Sequence, residues 1–325
     1  MKAKIFLDAN ELSLGAPIDY DGVALHRYPD PLQSDLRASL VQRLGVADDM
    51  VFCGVGSDEI IDLLIRLVCE PSSEEIAVCE PTYGMYRVAA SLNNVRVRSV
   101  QLDDTFHIDL DTTIASLTPR TKILFCCSPN NPTGNLLRKA DILTICEKAA
   151  GLVVVDEAYI DFAQQGSSIA DSVAAVDNLV VMRTLSKAFG LAGIRLGYCI
   201  AQPEIISFLL RIKAPYNINA VTSDLAMRAL HNDDFFSDSV RIIQLERARV
   251  ASALQLLPAV AGIYPSDANF LLVKFRDADN VYHQLLDRGI AVRRRSEPRL
   301  KDCLRITIGT AGENALLLRY LEEIA

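Results

Sequence analysis

Four short apolar runs set the strongest limit on how this chain can fold. They are "EIAVCEP" (75–81), "TKILFCCSP" (121–129), "GLVVVDEAY" (151–159) and "NLVVMRTLS" (178–186), and each closes on polar residues. None alternates steadily between apolar and polar side chains, so none suits a sheet with one face in water. Runs of this kind fit strands of a mostly parallel sheet, covered on both faces. Helix-like segments accompany them at 57–69, 81–92 and 137–149. In the first, Ile60, Ile61, Leu63, Leu64, Leu67 and Val68 make one broad apolar stripe, the face a helix lays against a sheet. Strands alternating with helices predict an α/β fold with helices on both sides of the sheet.

The pattern changes near Asn217. A helical stretch over 220–256, rich in Arg, Glu and Leu, precedes strand-like "ANFLLVKF" and "CLRITIG" and a closing helical "AGENALLLRYLEEIA". We read residues 30–216 as a large domain, and residues 1–29 with 217–325 as a smaller α+β domain. A chain of 325 residues, 50% hydrophobic and 23% charged, is long enough for two such cores and is not of disordered composition. A formal charge of −8 speaks against nucleic-acid or anionic-membrane binding, which needs a broad basic face. No apolar run approaches the length that spans a bilayer, and "MKAKIFLDANEL" lacks the apolar core and cleavage site of a secretory leader. The eight cysteines form no CxxC pair and the four histidines do not cluster near them, so metal-ligand spacing is absent. Reduced, buried thiols in a cytoplasmic protein without a metal are expected.

Ligands of open parallel sheets gather at the carboxyl ends of the strands. Three runs end there in "CSPNNPTG", "VVVDEAY" and "VMRTLSKAFG". Lys187, set among small and apolar residues, is either a surface lysine at a helix start or an amine kept neutral to act as a nucleophile. Asp156 follows three valines, where a carboxylate either caps a turn or needs a partner. Tyr159 could be plain packing with its hydroxyl bonded to any neighbour. "FCGVGSDEIIDLL" runs from a glycine-containing loop into a helix whose first N–H groups and dipole suit a phosphate. Ser57 would serve equally as an ordinary N-cap, and Asp58 and Glu59 would oppose an anion unless turned away. In "GIAVRRRSEPRLKDCLRITIG", Arg294, Arg295 and Arg299 read as a solvated charged loop. Arg305 lies inside an apolar run, where arginine needs an anionic partner, and Arg293 follows "IAV" in the same way.

Taken together, "FLDANE", "HRYPDP", "VGSDEIIDLLIR", "EPTYGMY", "CSPNNPTGN", "VVVDEAYIDF", "RTLSKAFGLAGIRLGY" and "CLRITIGT" resemble the fold-type-I pyridoxal-phosphate-dependent aminotransferases, class II branch. Within them the chain is similar to the histidinol-phosphate aminotransferase family, in the same order over nearly its whole length. The resemblance implies a three-layer αβα large domain with a mostly parallel sheet, plus the smaller α+β domain. It implies that Lys187 carries the pyridoxal 5'-phosphate aldehyde as a Schiff base and then moves the proton. Asp156 would pair with the pyridine nitrogen, Tyr159 and Asn131 would bond the ring hydroxyl, and Tyr83 would stack on the ring. Ser57, Asp58, Thr184, Ser186 and Arg195 would hold the cofactor phosphate, joined by Tyr28 of the neighbouring subunit in a homodimer with shared sites. Arg305, with Arg293 and with Asn10 of "DANE", would hold the substrate's anionic end.

The reaction so implied is a ping-pong transamination between L-histidinol phosphate and 2-oxoglutarate, giving imidazole-acetol phosphate and glutamate in histidine biosynthesis. Its partners are a small amino donor and a 2-oxo acid. Three other readings stand beside it: a threonine-phosphate decarboxylase, an aromatic or broad-specificity aminotransferase, and a non-catalytic module on the same fold. Family members carry a longer arm before "LDANE", with a tyrosine closing over the substrate phosphate. Here Asp8 follows only seven residues, and the 293–305 loop or Tyr20 is expected to compensate.

Overall fold

The computed structural model describes residues 5–8, 10, 14 and 28–324. Its strands, in chain order, are β1 (Ile5–Leu7), β2 (Val51–Val55), β3 (Glu75–Glu80), β4 (Arg96–Gln101), β5 (Thr121–Cys127), β6 (Leu152–Asp156), β7 (Leu179–Thr184), β8 (Leu196–Ile200), β9 (Val260–Ile263), β10 (Phe270–Phe275), β11 (Ile290–Arg294) and β12 (Cys303–Thr307). The four apolar runs are β3, β5, β6 and β7. They stand together in a seven-stranded sheet of order β2-β8-β7-β6-β5-β3-β4. All its strands run one way except β8, which is antiparallel to both β7 and β2. The reversal has a local cause. Only a loop with one 3₁₀ turn, Ala192–Ile194, joins β7 to β8, too little chain for the helical crossover a parallel neighbour requires.

Both faces of this sheet are covered, which is why its strands do not alternate. Leu124, Cys126, Val153, Val155 and Val181 pack against Ile142, Ile145 and Cys146 of the helix Lys139–Lys148. Ile123, Phe125, Val154, Val180 and Met182 face the other way, onto Ile60, Ile61 and Leu64 of Gly56–Val68 and Tyr86 of Met85–Leu92. Each such aliphatic side chain contributes about 1.5–3 kcal/mol on burial. The result is an αβα sandwich whose strand ends point at one rim.

A five-stranded sheet, β1-β11-β12-β10-β9, forms the rest. The helices Asp233–Leu254, Ala278–Asp287 and Ala311–Glu323 cover it through Ile243, Val250, Val281, Leu285, Leu317 and Leu321. Leu7, Tyr159, Phe162 and Ala188 belong to the same core, so the loops leaving β6 and β7 are packed directly on this second layer.

Two sequence expectations are corrected. The 220–256 stretch is two helices, Ala220–Leu230 and Asp233–Leu254. The break falls where Asn232 caps the second, accepting from the Phe235 N–H at 3.3 Å ahead of Asp233 and Asp234 in its first turn. The 81–92 segment becomes helical only at Met85. Before it, the Pro81 carbonyl accepts from Asn130 at 2.9 Å and Thr82 donates to Asn130 at 2.8 Å, tying this turn to the loop after β5. All eight cysteines are free and buried. No helix among the described residues is long and apolar enough to cross a membrane.

Candidate active site

The ends of β5, β6 and β7 and the start of the helix Gly56–Val68 open on one cleft. Ser57, Asp58, Tyr83, Asn131, Asp156, Tyr159, Thr184, Ser186, Lys187 and Arg195 all line it, together with Cys127 and Ala158. The fold thus brings together residues spread over much of the chain.

Asp156 is the last residue of β6 and is buried. The Tyr86 hydroxyl donates to its Oδ2 at 2.7 Å, and the Ala158 N–H donates to Oδ1 at 3.0 Å. Burial pushes its carboxyl up to about 6, against the pull of these two bonds and of the Lys187 charge. The turn-capping role and the partner-seeking role therefore coexist. Lys187 lies in the loop after β7, with Nζ 5.7 Å from the centroid of the Tyr159 ring. Its backbone carbonyl accepts from the Gly190 N–H at 3.1 Å, closing a tight turn around it.

Thr184, Ser186, Arg195 and the start of the helix Gly56–Val68 form a polar cradle in the same cleft. The Thr184 hydroxyl donates to the Leu196 carbonyl at 3.0 Å and lies 2.9 Å from Ser186 Oγ. Gly56, at φ 70°, donates its N–H to the Arg195 carbonyl at 2.9 Å, which brings the helix start against the loop before β8. A Cβ on Gly197 would stand 2.4 Å from the Ser57 backbone nitrogen, so only glycine allows this approach. Arg195 itself is left-handed at φ 55°, with its guanidinium 3.5 Å from Asp58. Of the two acids at the helix start, Glu59 is turned aside, whereas Asp58 stays on the cleft wall. Asp58 accepts from the Tyr83 hydroxyl at 3.1 Å, and Glu59 folds back to the Val55 N–H at 2.6 Å. Ser57 is left facing the cleft.

The third wall comes from the five-stranded sheet. Arg305, on β12 and only 7% exposed, donates to Asn131 Oδ1 at 2.5 Å and to the Asp8 carbonyl at 2.6 Å. The Tyr159 hydroxyl accepts from Asn10 at 3.0 Å and from Asn131 at 3.4 Å, and burial pushes it up to about 12. With both acceptor directions engaged, its own proton is left to donate into the cleft. Asn10, at φ 56°, is pinned by Thr307, which receives its N–H at 2.9 Å. Arg293 pairs with Arg305 in the β11–β12 register and lines an adjoining cleft with it, beside Asn131 and Tyr83.

Tyr28 is not brought to this cleft. It is 80% exposed and stacks on Tyr216 with ring centroids 4.5 Å apart. Tyr20 lies outside the described residues. The solvated-loop reading holds for Arg294, which pairs with Asp279 at 2.6 Å, but not for Arg295 or Arg299. Arg299 lies over the Phe106 ring at 4.9 Å and donates to the Leu102 carbonyl at 2.6 Å. The Arg295 side chain is 14% exposed, paired with Glu297 on the wall of the Arg305 cleft. Tyr86 escaped the sequence reading. Its place in "EPTYGMY", at the start of the helix Met85–Leu92 and three residues after Tyr83, was the available signal.

This arrangement defines a site for an anionic, ring-bearing ligand beside a lysine, at the carboxyl edge of a mostly parallel sheet. Residues 4–324 match the model of the family described as aminotransferase class I and II, and the chain belongs to that family. A histidinol-phosphate aminotransferase of Parabacteroides distasonis is 45% identical over 99% of this chain and 91% of its own length. The solved histidinol-phosphate aminotransferase of Clostridium acetobutylicum superposes with a TM-score of 0.91 at 27% identity, covering 98% of each chain. That of Sinorhizobium meliloti, solved with pyridoxal-5'-phosphate, gives 0.90 at 24% identity over 99% of this chain and 91% of that one.

Proposed function

We propose that the chain is a pyridoxal-phosphate-dependent aminotransferase that exchanges the amino group of L-histidinol phosphate with the keto group of 2-oxoglutarate. The observation that carries the cofactor is Asp156. A buried carboxylate pushed up to about 6 gains most from a protonated ring nitrogen beside it, which would restore its ordinary charge. The glycine-enforced approach of Ser57 to Gly197, with Thr184, Ser186 and Arg195 around it, fits the phosphate of the same group.

When bound, the cofactor supplies an electron sink that makes the substrate's α C–H acidic. Lys187 Nζ would hold the cofactor through its aldehyde and would serve as the base and acid that moves the donor's α-proton. Asp156 would keep the ring nitrogen protonated. Tyr159 and Asn131 would hold the ring oxygen, and Tyr83 would pack against the ring. Arg305, assisted by Arg293 and Asn10, fixes the anionic end of whichever substrate is bound. One such site serves both half-reactions in turn, which is the ping-pong scheme.

The second sheet, with the N-terminal segment and residues 217–325, forms the smaller domain in this reading, and residues 30–216 the cofactor-binding one. The enzyme works as a cytoplasmic homodimer in histidine biosynthesis. Exposed Tyr28, Leu32, Val55 and Tyr216 offer apolar surface for a second copy, whose Tyr28 reaches the cofactor phosphate. Glutamate formed from histidinol phosphate and 2-oxoglutarate tests the assignment. Carbon dioxide released from threonine phosphate without glutamate would replace it by the lyase reading. Wild-type protein given excess cofactor should show a visible absorption band, and Lys187→Ala should lose it.

A further inference from the structure

Asp156 is gripped from two sides, and the two grips differ in kind. The Ala158 N–H on Oδ1, at 3.0 Å, comes from two residues further along the same turn. The Tyr86 hydroxyl on Oδ2, at 2.7 Å, reaches across from the helix Met85–Leu92. Tyr86 is fully buried, stacked on Phe125 with ring centroids 4.7 Å apart and edge-on to Tyr83 at 5.6 Å. Phenylalanine would serve that packing equally, and a buried phenol can finish its hydrogen bonding on any acceptor. Here the acceptor is a buried carboxylate, a group whose charge is expensive to keep out of water. Burial and the Asp156 charge push the phenol's own ionisation well above its ordinary value, so Tyr86 stays a donor.

The other ionisable groups around the carboxyl do not replace this bond. Lys187 favours its charged form through space and Asp58 opposes it. Tyr83 donates to Asp58, Cys127 donates to the Pro129 carbonyl, and Tyr159 is held by Asn10 and Asn131. We propose that Tyr86 is a positioning residue for the proton of the cofactor's ring nitrogen: its hydroxyl holds Asp156 Oδ2 ionised and fixes the carboxylate plane, so that the proton rests on the ring and not on the acid. The proposal rests on the reading of Asp156 as the partner of that nitrogen, and names the group that fits it for the task. With a phenol on one oxygen and an amide N–H on the other, the carboxylate keeps a lone pair on each for the cleft. Withdrawing the phenol makes the carboxyl a stronger base. A proton shared between the carboxyl and a ring nitrogen then moves towards the carboxyl, and the electron sink weakens.

Tyr86→Phe keeps the ring and its stack and removes only the hydroxyl. The Asp156 titration is read in apoprotein as the gap in urea midpoint between a protein and its Asp156→Asn counterpart. In wild type this gap opens as pH rises through about 6. In Tyr86→Phe it should open through about pH 7, because the folded carboxyl keeps its proton through a tenfold change in acidity, the effect of one charge-assisted bond. With cofactor isotopically labelled at its ring nitrogen, the nitrogen resonance of Tyr86→Phe holoenzyme should lie nearer to that of unprotonated pyridine than wild type's does. Its kcat should fall by about tenfold, with KM for either substrate changed by less than about twofold. Tyr198→Phe, which removes a buried hydroxyl of β8 that lines a different cavity, should leave the gap and the resonance where they are. A gap opening at one pH in both backgrounds, an equal shift in Tyr198→Phe, an unmoved resonance beside a protonated wild type, or KM changes as large as the loss of kcat would overturn the proposal. If the gap moves as expected but the wild-type ring nitrogen is unprotonated and Asp156→Asn leaves it so, the reading of Asp156 falls and the hold of Tyr86 on the carboxyl stands.

Discussion

Asn131 Oδ1 accepts a hydrogen bond from Arg305 Nη1 at 2.5 Å. One residue belongs to the loop after β5 in the seven-stranded sheet, the other to β12 in the five-stranded one. Asn131 also donates to Tyr159 at 3.4 Å, so a single amide joins the arginine proposed to hold the substrate to the group proposed to orient the cofactor ring. Charge-assisted bonds of this kind contribute about 1.5–3 kcal/mol.

Removing the guanidinium should separate substrate from cofactor binding. Arg305→Ala is expected to lower kcat/KM by about ten- to a hundredfold, with cofactor absorbance retained. Steady-state kinetics beside a spectrum of the same preparation checks it. Unchanged kinetics would remove Arg305 from the site.

Asp156 makes a prediction with a sign. Its folded value is raised to about 6 from an ordinary 3.8, so the folded apoprotein takes up a proton that the unfolded chain has already released. That contribution is full below about pH 4 and is lost as pH rises through 6, at a cost on the order of 3 kcal/mol by pH 8. Asn cannot ionise. Asp156→Asn apoprotein should therefore withstand more urea than wild type at pH 8, with the gap closing towards pH 4. The same variant should lose transamination by about a hundredfold or more, since the ring nitrogen loses its counter-charge.

Gly197→Ala should disrupt the cradle, because its Cβ would meet the Ser57 nitrogen at 2.4 Å and the Gly56 carbonyl carbon at 2.5 Å. Backbone cannot yield as a side-chain tip can, so a cost of about 1–3 kcal/mol and weaker cofactor retention on dialysis are expected. Gly193→Ala is the control, with nothing within 4 Å of the added carbon.

Shared sites can be tested by mixing. Tyr28→Ala and Lys187→Ala subunits, refolded together, should give more activity than the two preparations summed, since one site of each mixed dimer regains both groups. Additive activity would place Tyr28 outside its neighbour's site.

How much of this was legible follows from what each residue's environment depends on. The strands β5, β6 and β7 declared themselves because covering both faces leaves an uninterrupted apolar run. β8, "LGYCI", did not, because its direction is decided by the shortness of the loop before it rather than by its own residues. Lys187 and Asp156 stood out because their residue types sit where strand ends converge, whereas Asn131, in a turn-like "SPNNPTG", was singled out only by the family resemblance. Tyr86 was not, since its bond to Asp156 crosses from a helix to a strand seventy positions away. Arg295 was read as solvated because charge alone does not reveal a wall. Its burial depends on β11 and β12 standing side by side and on Glu297 turning back to meet it.

The reversal of β8 has a consequence for cofactor choice. Because the chain leaves β7 and returns at once beside it, the amine of Lys187 and the guanidinium of Arg195 belong to one short hairpin anchored at both feet. With Lys187 and Arg195 in the roles proposed for them, such a hairpin would act as a molecular ruler, setting how far apart an aldehyde and a phosphate on one ligand must be. A vitamer lacking the phosphate would then touch only one end of the gauge.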